Sequence, residues 1–249
     1  MKPAAPTLLV FTLGPGVEIV RRALLPGKLR DVEAEVWRSC LTVALDAGRA
    51  CGCRLEVCSP APLDLPEDAR HVFQEGNGFG SRLEEAVRGA FNRGDGPLLV
   101  VGTDIPGLAA RHFDRTLSLL AEDPDRVVLG PSPDGGLYLL AASRPIEGLA
   151  GLTRWRRRDT LRGLLRSLRA AGRPFVLLEP LADLDRRADL ETWVAQGDEL
   201  RKGLIRLLRR VLAALRRPSI PDLSGRPAPA LVPVRAGRAP PVSSARRPR

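Results

Sequence analysis

Apolar and polar positions along the chain alternate between two periods. Leu8 to Leu13 is an apolar run of strand length, and a loop bearing Gly and Pro is expected from Gly14 to Arg30. From Val32 to Ala50 the apolar positions Val36, Cys40, Val43, Ala44 and Ala47 recur at helical spacing, which predicts a helix. Arg54 to Cys58 reads as a second strand, Pro60 to Pro66 as a loop and His71 to Gln74 as a short strand. The glycines between Glu75 and Gly80 break the chain. Ser81 is then expected to cap a helix through Phe91, with Glu84 as its capping-box partner. Pro97 to Val101 and Val127 to Gly130 predict strands on either side of a helix over Ala109 to Ala121. Leu137 to Ala141 follows a glycine turn directly and is expected to return antiparallel. Asp159 to Ala171 predicts a helix, Phe175 to Leu178 a strand and Arg187 to Ala195 a further helix. Strands and helices in alternation predict an α/β fold: a mostly parallel sheet with helices on both faces.

Two further regions follow a first domain over residues 1–197. Residues 198–217 contain an amphipathic segment, Leu200 to Arg217. Leu200, Leu204, Leu207, Leu208, Val211, Leu212 and Leu215 form one face, and Lys202, Arg206, Arg209, Arg210, Arg216 and Arg217 the other. Residues 218–249 are rich in Pro, Ala, Arg and Ser without a period, and disorder is expected there.

Charge divides along the same boundary. The net charge of +10 comes entirely from residues 198–249, which hold 13 basic and 3 acidic residues. The first 197 residues hold 26 of each sign. A neutral globular part argues against nucleic acid as a ligand, while the basic segment suits an anionic membrane surface. No apolar run reaches the length of a membrane span, and Leu8 to Leu13 lacks the features of a secretory signal, so a cytoplasmic location is expected. Cys40, Cys51, Cys53 and Cys58 lack the spacing of a zinc site and read as buried, reduced thiols. His71 is expected at the start of a strand and His112 on a helix.

The candidate chemistry lies at two strand ends. Gly102-Thr103-Asp104-Ile105-Pro106 follows one strand, and Gly130-Pro131-Ser132-Pro133-Asp134-Gly135-Gly136 follows another. Ligands of α/β sheets gather at the carboxyl ends of strands. Two aspartates there, beside glycines that admit a ligand to the backbone, suggest a site for a metal and an anionic substrate. Each has a plainer reading. Asp104 also suits a helix N-cap, Asp134-Gly135 a hairpin turn, and Asp183 and Asp185 turn and cap positions. The run Arg154 to Arg158 also suits a solvated face.

With these residues placed, the chain resembles a bacterial family of the nucleotide-diphospho-sugar transferase superfamily. Its members are labelled arsenosugar-biosynthesis glycosyltransferases, or transferases associated with radical-SAM and selenium-related proteins. The resemblance covers about residues 7–195 and rests on Gly102-x-Asp104-x-Pro106-x-Leu108 and Gly130-Pro131-x-x-Asp134-Gly135-Gly136-x-Tyr138-x-Leu140. Gln74-x5-Gly80-x-Arg82, Trp155 and Asp183-Leu184-Asp185 are weaker matches. It implies a Rossmann-like, A-type glycosyltransferase fold and a metal-dependent glycosyltransferase, or a related nucleotidyltransferase, with a nucleotide-sugar donor. Asp104 would hold a divalent cation, Mg or Mn. Asp134 would serve as a base or a second ligand, Gly135 and Gly136 would admit the substrate, and Arg21 and Arg82 would contact it. The acceptor is left unnamed.

The first loop departs from the family, which carries A-K-x-P-x-x-G-x-x-K-T-R-L. Leu13 and Ala23 replace a lysine and an arginine, Glu18 replaces a glycine, and Arg21 keeps one charge. Arg156 and Arg157 follow Trp155 where the family has W-S-T, so Arg21, Arg22, Arg156 and Arg157 form a candidate relocated phosphate cradle. The competing reading is a degenerate member that lost donor binding and works as a binding or scaffold protein through its basic C-terminus.

Overall fold

A computed structural model of the chain describes residues 4–22, 30–94, 96–185, 189, 206–207, 209–210 and 212–213. The chain divides into two units, Met1–Arg216 and Arg217–Arg249, and the second lies outside the described residues. Seven strands form one sheet: β1 (Thr7–Phe11), β2 (Arg54–Ser59), β3 (Ala69–Phe73), β4 (Leu98–Val101), β5 (Val127–Pro131), β6 (Leu137–Ala142) and β7 (Phe175–Leu177). Their spatial order is β3-β2-β1-β4-β6-β5-β7. All pair in parallel except β6, which is antiparallel to both β4 and β5. The expected return of β6 is thus observed, but β6 inserts between β4 and β5. Those two strands therefore point the same way and end on one edge. The strand order also reverses between β1 and β4, which opens a crevice at that edge.

Five helices, α1 (Pro15–Arg22), α2 (Arg30–Ala50), α3 (Phe79–Arg93), α4 (Ala110–Glu122) and α5 (Thr160–Ala170), accompany the sheet. Every residue of β1 is buried, as a strand covered on both faces requires. Leu8 and Val10 share one core with Trp37, Leu41 and Leu45 of α2 and Phe113 of α4. Leu9 and Phe11 face the other way, into a second core with Leu83 and Val87 of α3 and Leu164 and Leu168 of α5. The two-residue period of the strand therefore assigns its side chains to two layers.

Three local expectations are corrected. Residues 15–22 form a helix rather than loop: Pro15 occupies its first position and Gly14, at φ 79°, turns the chain into it. α3 starts at Phe79 after an N-cap at Gly78, so Ser81 is not the cap. Phe79 packs edge-on against Phe11 and tilted against Trp155, and that burial holds the extra turn. His71 lies inside β3 rather than at its start, 2.8 Å from the Ser59 hydroxyl.

All four cysteines are free thiols, and burial raises Cys53 to about 11 and Cys58 to about 12. His112 is on α4, buried, and burial lowers its pKa. The six described residues between 206 and 213 are helical, with Leu207 and Leu212 buried and Arg206, Arg209 and Arg210 exposed. The expected helix over Arg187 to Ala195, Asp189 apart, and the tail 218–249 lie outside the described residues. Among the described residues no helix is long and apolar enough to cross a membrane.

One charge sits inside the second core layer. Glu56 of β2 is 4% exposed, and Arg93 at the end of α3 binds it through Nε at 3.0 Å and Nη2 at 2.5 Å. Arg93→Ala leaves that carboxylate without its partner and is expected to cost about 3 kcal/mol in urea unfolding. Glu56→Gln combined with Arg93→Met is expected to cost clearly less, because no lone buried charge remains. Equal losses in the two proteins would show that packing, not charge, accounts for the effect.

Candidate active site

A cleft of about 320 Å³ opens at the carboxyl edge of the sheet, between the ends of β4, β5 and β6 and the helices α1 and α3. Asp104 and Asp134 both line it. After β4 the chain turns at Gly102, where an added Cβ would lie 2.6 Å from Asp104 Oδ1. The bare α-carbon thus leaves space for that carboxylate. The N-cap of α4 is Ala109, five residues on, so Asp104 does not cap that helix.

After β5, Asp134 closes its own turn: its Oδ1 accepts the Gly136 N–H at 2.8 Å. Gly135 has φ 91°, and a Cβ there would lie 1.9 Å from the Arg158 carbonyl oxygen. The Leu161 N–H also donates to Gly135 O at 3.0 Å. Gly135 therefore makes room for the chain's own backbone, and it is not among the residues lining the cleft. Gly136 lines the cleft, but its α-carbon faces the Asp134 carboxylate, 3.0 Å from where a Cβ would stand.

The segment after β7 completes the acidic wall. It runs across the sheet edge on three backbone hydrogen bonds, Leu178 N–H to Leu129 O (2.9 Å), Leu181 N–H to Pro131 O (3.1 Å) and Leu184 N–H to Asp104 O (2.8 Å). This path delivers Asp183 and Asp185 to Asp134, and one carboxylate oxygen from each of the three lies within 4.8 Å of the others. The plainer turn-and-cap reading of Asp183 and Asp185 therefore misses their main environment. Burial first, and then Asp185, Asp134 and Asp104, push the Asp183 carboxyl up to about 7. Asp104, expected as the metal ligand, stands beside this triple rather than within it. Three hard oxygen donors so close suit a divalent cation such as Mg²⁺ or Mn²⁺, since like charges at that spacing repel until one binds.

Arginines line the same cleft, Arg21 and Arg156 among them. Arg21 binds Glu18 Oε2 through Nε (3.1 Å) and Nη2 (2.8 Å), and Glu18 Oε1 accepts the Leu13 N–H at 3.4 Å. The negative charge that Glu18 adds to the first loop is thus balanced inside the loop. Arg156 has φ 60°, the one left-handed non-glycine among the described residues. Desolvation, then Arg21 and Arg82, lower its pKa, against the pull of Glu18 and Asp185. Arg21, Arg82 and Arg156 are therefore neighbours, although only the first and last line the cleft. Arg157 and Arg158 line it as well, and the Arg22 side chain lies outside the described ones.

Two weaker motif positions support this arrangement. A Cβ on Gly80 would lie 2.7 Å from the Trp155 ring, so glycine seats the tryptophan on α3 and fixes the arginine turn behind it. Gln74 Nε2 donates to Thr12 O (2.8 Å) and Cys58 O (3.1 Å), tying the first loop to β2.

The raised Asp183 carboxyl sets a testable sign. Its pKa moves from an ordinary 3.8 to about 7 in the folded chain. The stability that its protonated form contributes is therefore complete below the ordinary value and lost as pH rises through about 7. Without added cation, Asp183→Asn is expected to raise Tm at pH 8, by about 2–4 °C for each kcal/mol of repulsion removed, and to leave it unchanged at pH 4. A lower Tm at pH 8 would show that the carboxylates attract their surroundings more than they repel each other.

No functionally curated protein is significantly similar to the chain in sequence. The profile of a bacterial family described as an uncharacterized protein conserved in bacteria (DUF2064) matches residues 32–155. Among solved structures, a Desulfovibrio desulfuricans G20 protein with the provisional name nucleotide-diphospho-sugar transferase is 22% identical. It covers 85% of this chain and 96% of its own, with a TM-score of 0.71. Rv0371c from Mycobacterium tuberculosis H37Rv is 18% identical over 77% of this chain and 98% of its own, with a TM-score of 0.49. The 2-C-methyl-D-erythritol 4-phosphate cytidylyltransferase of Thermus thermophilus is 17% identical over 83% of this chain and 100% of its own, with a TM-score of 0.41. The chain therefore shares the α/β fold of the Desulfovibrio structure, with its cleft at the carboxyl edge of the sheet.

Proposed function

We propose that the protein is a divalent-cation-dependent glycosyltransferase that takes a nucleotide-sugar donor. The observation that carries this reading is the pairing of carboxylates and arginines in one cleft. Asp134, Asp183 and Asp185 converge in a cleft that Arg21 and Arg156 also line, at the edge where such sheets bind ligands. Asp134, Asp183 and Asp185 would hold the cation, which supplies charge neutralisation for a departing nucleoside diphosphate. Arg156 and the free edge of Arg21 hold phosphate oxygens, a task for which a planar guanidinium is suited. Phe11, Phe79 and Trp155 line the same cleft and offer apolar faces to a base or sugar ring. Asp104 adds negative charge beside the triple. The motif likeness to the transferases labelled for arsenosugar biosynthesis, or for radical-SAM and selenium-related proteins, favours a glycosyl over a nucleotidyl group.

The second reading, a degenerate binding or scaffold protein, draws on Leu13 and Ala23, which stand where the family carries cationic side chains. Calorimetric titration with a panel of nucleotide sugars separates the two. Binding is expected only with Mn²⁺ or Mg²⁺, and Asp185→Asn or Asp104→Asn is expected to weaken it about tenfold or more, since an amide lacks the charge a hard cation requires. Failure of every nucleotide sugar in the presence of cation would leave the scaffold reading.

The basic 198–217 segment supports peripheral attachment to anionic lipid at the cytoplasmic face. Full-length protein is expected to sediment with phosphatidylserine vesicles at low salt, and Arg209→Glu combined with Arg210→Glu is expected to abolish this. Undiminished sedimentation of the double variant would remove the segment from that role.

A further inference from the structure

One surface is left over from this reading. Between residues 154 and 173 the chain holds eight arginines and a single carboxylate, Asp159, although the first 197 residues are neutral overall. Arg154, Arg157, Arg158 and Arg162, with Asp159 among them, line a shallow groove at the start of α5, and Arg157 and Arg158 also line the cleft. The groove is thus a continuation of the cleft mouth. Asp159 pairs with Arg154 at 3.0 Å, and Arg157, Arg158 and Arg162 are exposed with no carboxylate partner among the described residues.

The arrangement is built rather than loose. The buried Thr160 hydroxyl accepts the Arg157 N–H (2.9 Å) and lies 2.7 Å from Arg157 O and 3.0 Å from Arg154 O. Gly135 docks against the Arg158 backbone, and Trp155 Nε1 donates to Leu149 O at 3.2 Å. These contacts hold three like charges together at the positive end of a helix whose only acid there is the N-cap Asp159, itself paired with Arg154. Both the mutual repulsion and the helix dipole oppose that placement, and an anion relieves both.

We propose that this groove recognises the acceptor, and that the acceptor carries an oxyanion group, a phosphate above all. The inference rests on the transferase reading of the adjoining cleft. The donor diphosphate occupies the inner arginines, Arg21 and Arg156, in the cleft that the carboxylates also line. The acceptor's anionic group sits on Arg157, Arg158 and Arg162, with its nucleophilic hydroxyl directed inward past Asp134. The groove lining contains no apolar residue, so it lacks the inserting side chains by which a bilayer is held. A discrete anion small enough for the cleft mouth is the occupant that its charge and position favour.

The test uses the full chain and its variants. Calorimetry measures glucose 1-phosphate, with glucose as the uncharged control, after the cleft has been saturated with a nucleoside diphosphate and Mg²⁺. Glucose 1-phosphate is expected to bind the filled protein, and glucose is not. Arg162→Gln, at a position that lines the groove but not the cleft, is expected to weaken that binding about tenfold while leaving the nucleotide within about twofold. Arg70→Gln, on the opposite edge strand, controls for net charge and is expected to change neither. Arg158→Gln reports whether the shared cleft-mouth residue takes part, and an unchanged sugar-phosphate affinity there would restrict the site to Arg157 and Arg162. Nucleotide binding with no sugar-phosphate binding overturns this inference alone. Absence of nucleotide binding overturns the transferase reading, and the acceptor role with it. Binding produced by a short RNA or by anionic vesicles, but not by the sugar phosphate, overturns the inference in favour of a polyanion surface.

Discussion

Three backbone hydrogen bonds carry the chain from β7 across the carboxyl edge of the sheet, and the candidate site depends on that crossing. Leu178, Leu181 and Leu184 donate in turn to Leu129, Pro131 and Asp104, at intervals that advance from β5 to the end of β4. Leu184 is buried at the end of the path. Its apolar side chain is drawn inward, and Asp183 and Asp185, on either side of it, are left at the cleft. The favourable burial of one leucine thus helps to impose the unfavourable proximity of three carboxylates.

Charge is handled differently in the core and in the cleft. Glu56 in the sheet and Glu18 in the first loop are each bound by an arginine, which is what burial of a charge requires. Glu18 and Arg21 line the cleft, but its other charges are grouped by sign. Asp134, Asp183 and Asp185 face one another, and Arg156 is crowded by Arg21 and Arg82. Such grouping of like charges costs stability, a cost that the cation and phosphates of the proposed donor would offset. The left-handed backbone of Arg156 is a second cost accepted at the same place.

The glycines of the motifs serve this assembly from within. Gly102 leaves space for the Asp104 carboxylate, Gly135 for the Arg158 carbonyl, Gly80 for the Trp155 ring and Gly130 for the ring of Tyr138. Most of them mark a contact between separate parts of the chain. The Asp134 turn and the arginine turn are consequently one rigid unit, joined through Gly135 and Leu161. Asp134 and the arginine run are thereby tied together by backbone contacts rather than carried on two independent loops.

Much of the fold was legible in the order of residues because burial imposes periods. β1, β4 and β5 read as apolar runs, β2 as an alternating strand and α2 as a helical stripe, since each buries a face of fixed geometry. Asp104 and Asp134 were legible too, because strand ends in such sheets share an edge. Where local signals competed, the reading failed: Gly14 and Pro15 suggested a loop, though the same pair also starts a helix. The role of Gly135 was hidden because its neighbour, Arg158, is distant in sequence. Asp183 and Asp185 looked like turn residues for the same reason. By itself, then, the sequence determined the layers of the sheet and two of its strand-end carboxylates. Only the tertiary structure decided which other charges join them, because a carboxylate's partners depend on where the chain crosses in space, and no local period records that.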